Sequence, residues 1–309
     1  MEDRLERGPW RARALWAAVA VVVAACLGFA LASQWSSLPD IEWRFRPGWL
    51  ALSLLCLLAF QWLHIELWRG MLHSLGGTLP RWKARSIWST TLLARYVPTS
   101  ALMAVGRIAL SQREGVPRRI STASVLYEVA FTLTAAVAVS TYLVLTLPAF
   151  EEYSLRWLVL AMPVAGLVSL HPRVFHALAD VALRRFGREP LPRSLGFPTV
   201  LLYFALFIVS FLVAGVSVFA MTHALHEVSA DATAVLVASY SLGFVAGVIG
   251  FVLPGALGAR EAGVAVALTA VVPAAVALAV ALVVRLVQVG VELLYAGVMP
   301  VIARRRPRD

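Results

Sequence analysis

Long apolar runs are the feature that most constrains this chain. Crossing a bilayer takes about 20 apolar residues in a helix, and five runs come close to or exceed that length: residues 14–32, 49–68, 120–147, 197–221 and 274–298. Of the 309 residues, 60% are hydrophobic and 14% are charged, which excludes an ordinary soluble protein. The sequence therefore predicts an all-α fold, a polytopic integral membrane helical bundle.

Shorter or interrupted apolar segments bring the expected total to about eight membrane segments. They cover residues 87–110, 155–170, 233–252 and 263–272. The first long run ends in Ala30-Leu31-Ala32, which resembles a signal-peptidase site. Its apolar stretch is longer than a usual signal core, so we favour a retained helix over cleavage.

We expect one transmembrane domain over residues 1–309. It would comprise a basic tail, a first half, a basic loop, a second half and a second basic tail, at residues 1–13, 14–170, 171–197, 198–303 and 304–309. Within the basic loop, residues 171–193 carry five arginines beside an apolar set. That set predicts a surface helix with one apolar face: Val174, Leu178, Val181 and Phe186.

The net charge of +10 comes from basic clusters between the apolar runs, a distribution that indicates cytoplasmic loops rather than nucleic-acid binding. This predicts a multi-pass protein of the cell (plasma) membrane with both termini in the cytoplasm. The outward loops then contain only Arg44 and Arg46, which Asp40 or Glu42 would counter. We interpret the tryptophans near span ends as interfacial anchors: Trp10, Trp16, Trp35, Trp49, Trp68 and Trp157.

Two stretches interrupt the apolar sequence in the same way. The first break runs from Tyr96-Val97-Pro98-Thr99-Ser100 to Gly106-Arg107, and the second from Leu253-Pro254-Gly255 through Gly258 to Arg260-Glu261. Pro98, Gly106, Pro254, Gly255 and Gly258 would free backbone groups that lipid cannot satisfy. Such backbone survives at membrane depth when it is buried in protein or lines a wet cavity, and the adjacent arginine indicates an anion there.

The placement of the breaks leaves two architectures open. If residues 87–110 and 233–272 are both re-entrant hairpins, they enter from opposite faces and form an inverted repeat, with a site where they meet. Alternatively, residues 233–252 and 263–272 each cross fully, and the second break is a cytoplasmic turn. The sequence does not separate these arrangements.

Charged groups inside the apolar segments are the candidates for function, because a charge near mid-membrane needs a partner or a role. Four are basic and four are acidic: Arg95, Arg107, Arg260, Arg285, Glu66, Glu128, Glu261 and Glu292. Internal pairing that fixes helix packing would also explain this balance. Near their helix ends, Glu66 and Arg95 would extend to the interface instead.

The last apolar run carries a polar stripe. Arg285, Gln288 and Glu292 fall at i, i+3 and i+7, so they share one helix face that must contact protein or water. Arginine suits phosphate because its planar fork makes two charge-assisted hydrogen bonds. A half-helix that begins after Gly258 would add free backbone amides beside Arg260.

Other polar residues carry weaker signals. Gln61 and His64 share one face, where we expect hydrogen-bonded packing. His223 and His226, with Glu227 and Asp231 nearby, could bind a metal. No third ligand has convincing spacing, however, so we expect no metal site and no cofactor.

At both breaks the chain resembles the membrane domain of the lysylphosphatidylglycerol synthetase/flippase family, which includes the multiple peptide resistance factor. The matching positions are Tyr96-Val97-Pro98, Gly106-Arg107, Glu128, and Pro254-Gly255 through Gly258 to Arg260-Glu261. Thr99 and Ala256 stand where the family usually has glycine. The resemblance covers nearly the whole chain.

This resemblance implies a lipid translocase that moves an aminoacylated or similar phospholipid between leaflets. Arg107, Arg260 and Arg285 would hold the phosphate, while Glu128, Glu261 and Glu292 would orient them or meet a cationic amino group. The family's soluble aminoacyl-transfer domain has no counterpart in the chain, so we expect no enzymatic lysyl transfer. A second copy of the chain or a separate soluble transferase are the protein partners left open.

Two other functions remain alternatives. One is a membrane enzyme or accessory subunit for polyprenyl-phosphate-linked sugars, which would need an acidic metal-binding cluster that the sequence does not offer. The other is a non-transporting membrane scaffold, in which the interior charges would set helix registry.

Overall fold

The computed structural model describes residues 45–96, 101–147, 154–185, 194–252 and 258–305. These residues form ten α-helices: α1 (Pro47–Ser74), α2 (Arg81–Leu92), α3 (Ala101–Arg113), α4 (Arg118–Thr146), α5 (Ala161–Leu170), α6 (Pro172–Arg185), α7 (Phe197–Leu225), α8 (Thr233–Val252), α9 (Ala259–Leu268) and α10 (Ala274–Arg305). Short 3₁₀ turns lie at Leu93–Tyr96, Ser154–Leu160 and Ala230–Ala232. The described part of the chain is all-helical.

Five of these segments are long and apolar enough to cross a membrane: α1, α4, α7, α10, and α8 with the turn before it. A sixth crossing is counted if the bent pair Trp157–Leu170 and Pro172–Val181 is one broken span. The predicted polytopic helical fold is confirmed. The predicted first span, residues 14–32, lies outside the described residues.

Helices α1 and α7 pack antiparallel along their lengths. The backbone N–H of Arg46, just before α1, donates to the carbonyl of Ala224 near the end of α7 (3.2 Å). At the opposite end the hydroxyls of Ser74 and Tyr203 lie 3.3 Å apart. We call the end with Ser74 the basic end, because Arg69, Arg81, Lys83 and Arg85 lie around the α1–α2 connection there.

The other end of this pair carries an ion pair that joins the two helices. The Arg46 guanidinium binds the carboxylate of Glu227, which follows α7. The antiparallel packing of α1 and α7 brings these residues together although they are 181 positions apart in the sequence. Asp40 and Glu42 lie outside the described residues.

Helices α2 and α3 form the hairpin predicted for the first break. Lys83 Nζ, at the start of α2, lies 2.8 Å from Glu114 Oε1, which directly follows α3, so both open ends meet at the basic end. The helices have 12 and 13 residues, or about 18–20 Å each, which is too short to cross about 30 Å of hydrocarbon. Residues 97–100 at the tip, Pro98 included, lie outside the described residues.

Gly106 was predicted to contribute to this break, and that prediction was wrong. The residue lies inside α3, because the helix already resumes at Ala101. A Cβ added at Gly106 would lie 3.5 Å from the Thr91 methyl group, an ordinary contact between the two arms of the hairpin. The glycine therefore sits where α3 packs against α2.

Helices α8 and α9 form a second hairpin that opens at the other end. Helix α8 is antiparallel to α7, since Phe244 contacts Phe211 (ring centroids 5.3 Å apart) and the Val237 carbonyl faces Gly215. Helix α9 returns along α8: Gly243 faces the carbonyl of Arg260, and Ala238 shares a buried cluster with Ala267. The two hairpins thus open toward opposite ends of the bundle, as an inverted repeat requires.

The second hairpin has arms of unequal length. Helix α8 has 20 residues and passes the length test for a crossing, whereas α9 has 10 residues and rises only about 15 Å. The sequence predicted an apolar segment over residues 263–272, whereas the helix starts four residues earlier, at Ala259, after a left-handed Gly258. A second complete crossing by α9 alone is therefore excluded, and Pro254 and Gly255 lie outside the described residues.

Helix α6 covers the segment for which the sequence predicted a surface helix, and Phe186 of the predicted apolar set lies outside the described residues. It bends 81° away from the preceding helical segment, and its Phe175 ring stacks on Tyr127 of α4 (centroids 3.8 Å apart). Leu178 and Val181 remain 57% and 69% exposed. Arg173, Ala177 and Arg184 lie on a separate exposed face. The helix therefore has three faces: one packs on protein, one is apolar and exposed, and one is polar and exposed. This pattern is typical of a helix lying in the membrane interface.

We expect fluorophores attached at two consecutive residues of α6 to report different environments, one in lipid and one in water. In a variant lacking Cys26 and Cys56, a label on Leu178→Cys should be quenched by nitroxides on lipid chains. A label on Ala177→Cys should be quenched by a water-soluble quencher, because consecutive helical residues point about 100° apart. Fluorescence of both labelled proteins in liposomes checks this, and equal quenching of both labels by the aqueous quencher would contradict interfacial placement.

Candidate functional site

Arg107 of α3 and Glu128 of α4 form a closed, buried ion pair. Arg107 Nη1 donates to the Glu128 carboxylate, and the arginine is only 1% exposed. Its Nε donates to Thr91 Oγ1 (3.3 Å), and Trp88 Nε1 donates to Glu128 Oε1 (2.7 Å). The pair therefore satisfies the rule that a buried charge needs a partner and further hydrogen bonds.

Two tryptophans flank the Arg107 guanidinium. Its Cζ lies 5.3 Å from the Trp68 ring centroid and 5.1 Å from that of Trp88. Trp68 was predicted to be an interfacial anchor, which is wrong: the residue is fully buried and donates Nε1–H to Ser124 Oγ (3.2 Å). The helix continues to Ser74, so a residue near the end of the apolar run lies inside the bundle.

Glu66 lies nearer the basic end and serves a separate ion-pair cluster. Its two carboxylate oxygens accept from Arg69 Nε (2.7 Å) and Arg85 Nε (2.6 Å). The Arg85 guanidinium also lies 4.3 Å from the Trp62 ring centroid and 4.6 Å from that of Trp82. Helix α1 continues for eight residues past Glu66, and the predicted extension of Glu66 to the interface stays a prediction. The side chain of Arg95 lies outside what the structure describes.

Arg285 of α10 and Glu261 of α9 form a second ion pair that retains solvent exposure. Arg285 Nε lies 3.1 Å from Glu261 Oε1, and the two side chains are 18% and 14% exposed. Glu261 is in the first turn of α9, while Arg285 begins the polar stripe on α10. This pair is therefore more open than Arg107–Glu128.

Arg260 has a different kind of partner. Its Nη2 donates to the neutral amide oxygen of Gln288 (3.0 Å), and Gln288 Nε2 donates onward to Glu292 Oε1 (2.9 Å). Gln288 and Glu292 are both buried, so the polar stripe faces protein as predicted. Arg107 and Arg285 each contact a carboxylate directly. Arg260 instead reaches the carboxylate of Glu292 through the amide of Gln288.

Aromatic rings hold the Arg260 guanidinium at the middle of the bundle. Its Cζ lies 5.0 Å from the Tyr240 ring centroid and 5.8 Å from that of Phe244. Tyr240 contacts Phe60 near the midpoint of α1 and Phe211 at the midpoint of α7 (centroids 5.4 and 6.3 Å apart). A cation over ring faces gains electrostatic stabilisation and keeps its in-plane N–H groups for acceptors.

The backbone at Arg260 starts a helix, as predicted. Gly258 has φ +91°, a conformation that favours glycine, and α9 begins at Ala259. Gly258, the N-cap, has no side chain that could cap the helix, and Ala262 N–H donates to the Gly258 carbonyl (2.8 Å). The first-turn amides and the positive end of the helix dipole thus lie beside Arg260.

A row of rings connects the two arginine sites. Trp88 contacts His64 (centroids 6.4 Å apart), His64 contacts Phe60 (4.5 Å), and Phe60 contacts Tyr240. His64 Nε2 lies 3.2 Å from Ser210 Oγ, which confirms the predicted hydrogen-bonded packing of this histidine. Arg107 and Arg260 therefore lie at opposite ends of one aromatic row.

Sequence reasoning missed the aromatic partners of both arginines. Tyr240 and Phe244 are four residues apart, so they share a face of an apolar helix, which is a signal that could have been used. Nothing local pairs Trp88 with residues on other helices, since its contacts depend on how α2 docks. At the end of the bundle opposite the basic end, His223 contacts the Phe219 carbonyl and Glu227 binds Arg46.

Comparison with known proteins gives one match. A family model described as "Lysylphosphatidylglycerol synthase TM region" matches residues 15–296, which is most of the chain. No curated protein matches, and no solved structure matches.

Proposed function

Since this chain belongs to the lysylphosphatidylglycerol synthase transmembrane-region family, we propose that it is a lipid translocase that binds an anionic or aminoacylated phospholipid head group among its helices. It is a multi-pass membrane protein, and we place it in the cell membrane with the basic end of the bundle and both termini at the cytoplasmic face. In this proposal the lipid tails stay in the bilayer while the head group crosses a central polar cavity between the two hairpins.

The observation that carries the proposal is the environment of Arg260. A guanidinium at mid-bilayer is costly unless it is neutralised or functional, and here its hydrogen-bond partner among the described residues is a neutral amide. A phosphate oxygen would replace that amide, gain a full charge-assisted hydrogen bond, and also meet the first-turn amides of α9, which have no partner within the helix. An anion therefore fits this position better than it fits the enclosed Arg107 site, where a carboxylate already contacts the guanidinium.

The remaining residues of the site have distinct proposed roles. Arg285 and Glu261, which keep some exposure, would contact the phosphate and a cationic amino group respectively. Gln288 and Glu292 would form the polar part of the site that contacts Arg260. Head-group binding by Arg107 and Glu128 stays a prediction, because both side chains are enclosed in this conformation.

We expect Arg260→Gln to lower lipid binding and translocation by about 10–100-fold, the loss for one charged hydrogen-bonding group of about 1.5–3 kcal/mol. Translocation is measured in liposomes that carry a head-group-labelled anionic phospholipid, from the fraction of label protected from a membrane-impermeant reductant. Arg304→Gln is the matched control, because it removes an exposed arginine from the end of α10.

The control should leave translocation unchanged, so the two variants differ in charge position but not in charge number. Equal rates for Arg260→Gln and the unaltered protein would remove Arg260 from the site and with it the main support for transport. Purification without any bound anionic lipid, together with that result, would favour the scaffold alternative.

A further inference from the structure

The amide of Gln288 is held in a single orientation by two partners of opposite charge. Its oxygen accepts from Arg260 Nη2 (3.0 Å) and its nitrogen donates to Glu292 Oε1 (2.9 Å). Reversing the amide would point N–H groups at a guanidinium and an oxygen at a carboxylate, and both contacts would then be repulsive. Gln288 is buried in the middle of α10, and its contact with Glu292 is buried as well, whereas its contact with Arg260 is partly buried.

This arrangement separates Arg260 from the nearest carboxylate in its own hydrogen-bond chain. Arg107 and Arg285 touch Glu128 and Glu261 directly, and an anion would have to displace a carboxylate from them. At Arg260 it would have to displace only a neutral amide, whose hydrogen bond is about half as strong as a charged one. Meanwhile the rings of Tyr240 and Phe244 stabilise the cation from its face without using its in-plane donors.

We infer that Gln288 is a positioning and specificity-determining residue, which holds Arg260 in place as a charged but unneutralised receptor for a phosphate-bearing head group. This inference rests on the proposed function, and adds to it the reason why Arg260 is the principal receptor of the anion, with Arg285 as a second contact. A carboxylate at position 288 would close the site, because Arg260 would be neutralised within the protein.

Two substitutions separate this role from a packing role. Gln288→Glu gives Arg260 a carboxylate partner, and Gln288→Met removes the acceptor while keeping the side-chain length. An ionised carboxylate and a thioether both lack a hydrogen-bond donor, so both variants lose the hydrogen bond to Glu292. The difference between them therefore reports what faces Arg260, together with the repulsion that a carboxylate at position 288 adds toward Glu292.

A third variant protects the test against misfolding. Gln288→Glu places two carboxylates one helical turn apart, which is unfavourable in a buried stripe. The swap Gln288→Glu/Glu292→Gln keeps the net charge and restores an amide–carboxylate contact, but it still puts the carboxylate beside Arg260. We expect the swapped protein to unfold at the same denaturant concentration as the unaltered protein and to bind anions poorly.

The measurement is binding of fluorescently labelled phosphatidylglycerol to the full-length protein in phosphatidylcholine nanodiscs. We expect binding by Gln288→Glu and by the swap to be about tenfold weaker, and binding by Gln288→Met to stay within about threefold of the unaltered protein or to become tighter. Equal weakening by Gln288→Met and by the swap would overturn the inference, since a carboxylate facing Arg260 would then matter no more than the loss of the amide.

Arg260→Gln, measured in the same nanodiscs, distinguishes this failure from failure of the proposed function. If Arg260→Gln binds the probe as well as the unaltered protein, the head-group site itself is wrong. If Arg260→Gln weakens binding while the methionine variant and the swap weaken it equally, only the role of Gln288 is rejected.

Discussion

Replacing Arg107 with methionine is expected to destabilise the protein by about 3–5 kcal/mol, because it leaves Glu128 charged and buried without its partner. Glu128→Gln should cost a similar amount by stranding the guanidinium, even though its amide oxygen can still accept from Trp88. The double variant Arg107→Met/Glu128→Gln removes both charges and should lose far less than the sum of the two single losses. Unfolding by SDS in mixed micelles, followed by tryptophan fluorescence, measures all three.

The same double variant also decides what Arg107 does. If its stability recovers and translocation continues, the pair fixes helix packing and does not bind lipid. If stability recovers but translocation is lost, the pair opens to the head group in another conformation. Additive losses of stability in the cycle would instead contradict the direct coupling of Arg107 and Glu128.

The sequence was sufficient for features that depend on local pattern. Apolar run length located the spans, and the helix at Thr233–Val252 has the predicted bounds. The i, i+3, i+7 spacing placed Gln288 and Glu292 on a buried face, and Gly258 correctly marked the start of a half-helix beside Arg260. The family resemblance, inferred from the residues at the two breaks, is confirmed by the match over residues 15–296.

What could not be predicted depends on which helices meet. Balanced numbers of acidic and basic residues indicate pairing, but the partner of each arginine is fixed by how α9 and α10 dock. The neutral partner of Arg260 follows from that docking, as does the burial of Trp68. A helix that continues past its apolar run also changes which residues count as interfacial, which explains the error at Trp68.

Gly215→Ala is expected to separate α7 from α8 and to destabilise the protein by more than the about 1–3 kcal/mol of an ordinary overpacked core. A Cβ added at Gly215 would lie 1.9 Å from the Val237 carbonyl oxygen and 2.7 Å from its carbon. These are backbone atoms, so no side-chain rotation relieves the clash and α8 itself must move. Because α8 carries Tyr240 and Phe244, that movement would also withdraw both rings from Arg260.

The matched control is Gly290→Ala, since nothing lies within 4 Å of a Cβ added at Gly290 in the middle of α10. Alanine is favoured over glycine in a helix by up to about 1 kcal/mol, so the control should be as stable as the unaltered protein or more so. SDS unfolding of both variants measures the difference, and phosphatidylglycerol binding shows whether the Arg260 site is lost with the helix contact. Equal stability of the two variants would mean that α7 and α8 do not approach as closely as Gly215 requires.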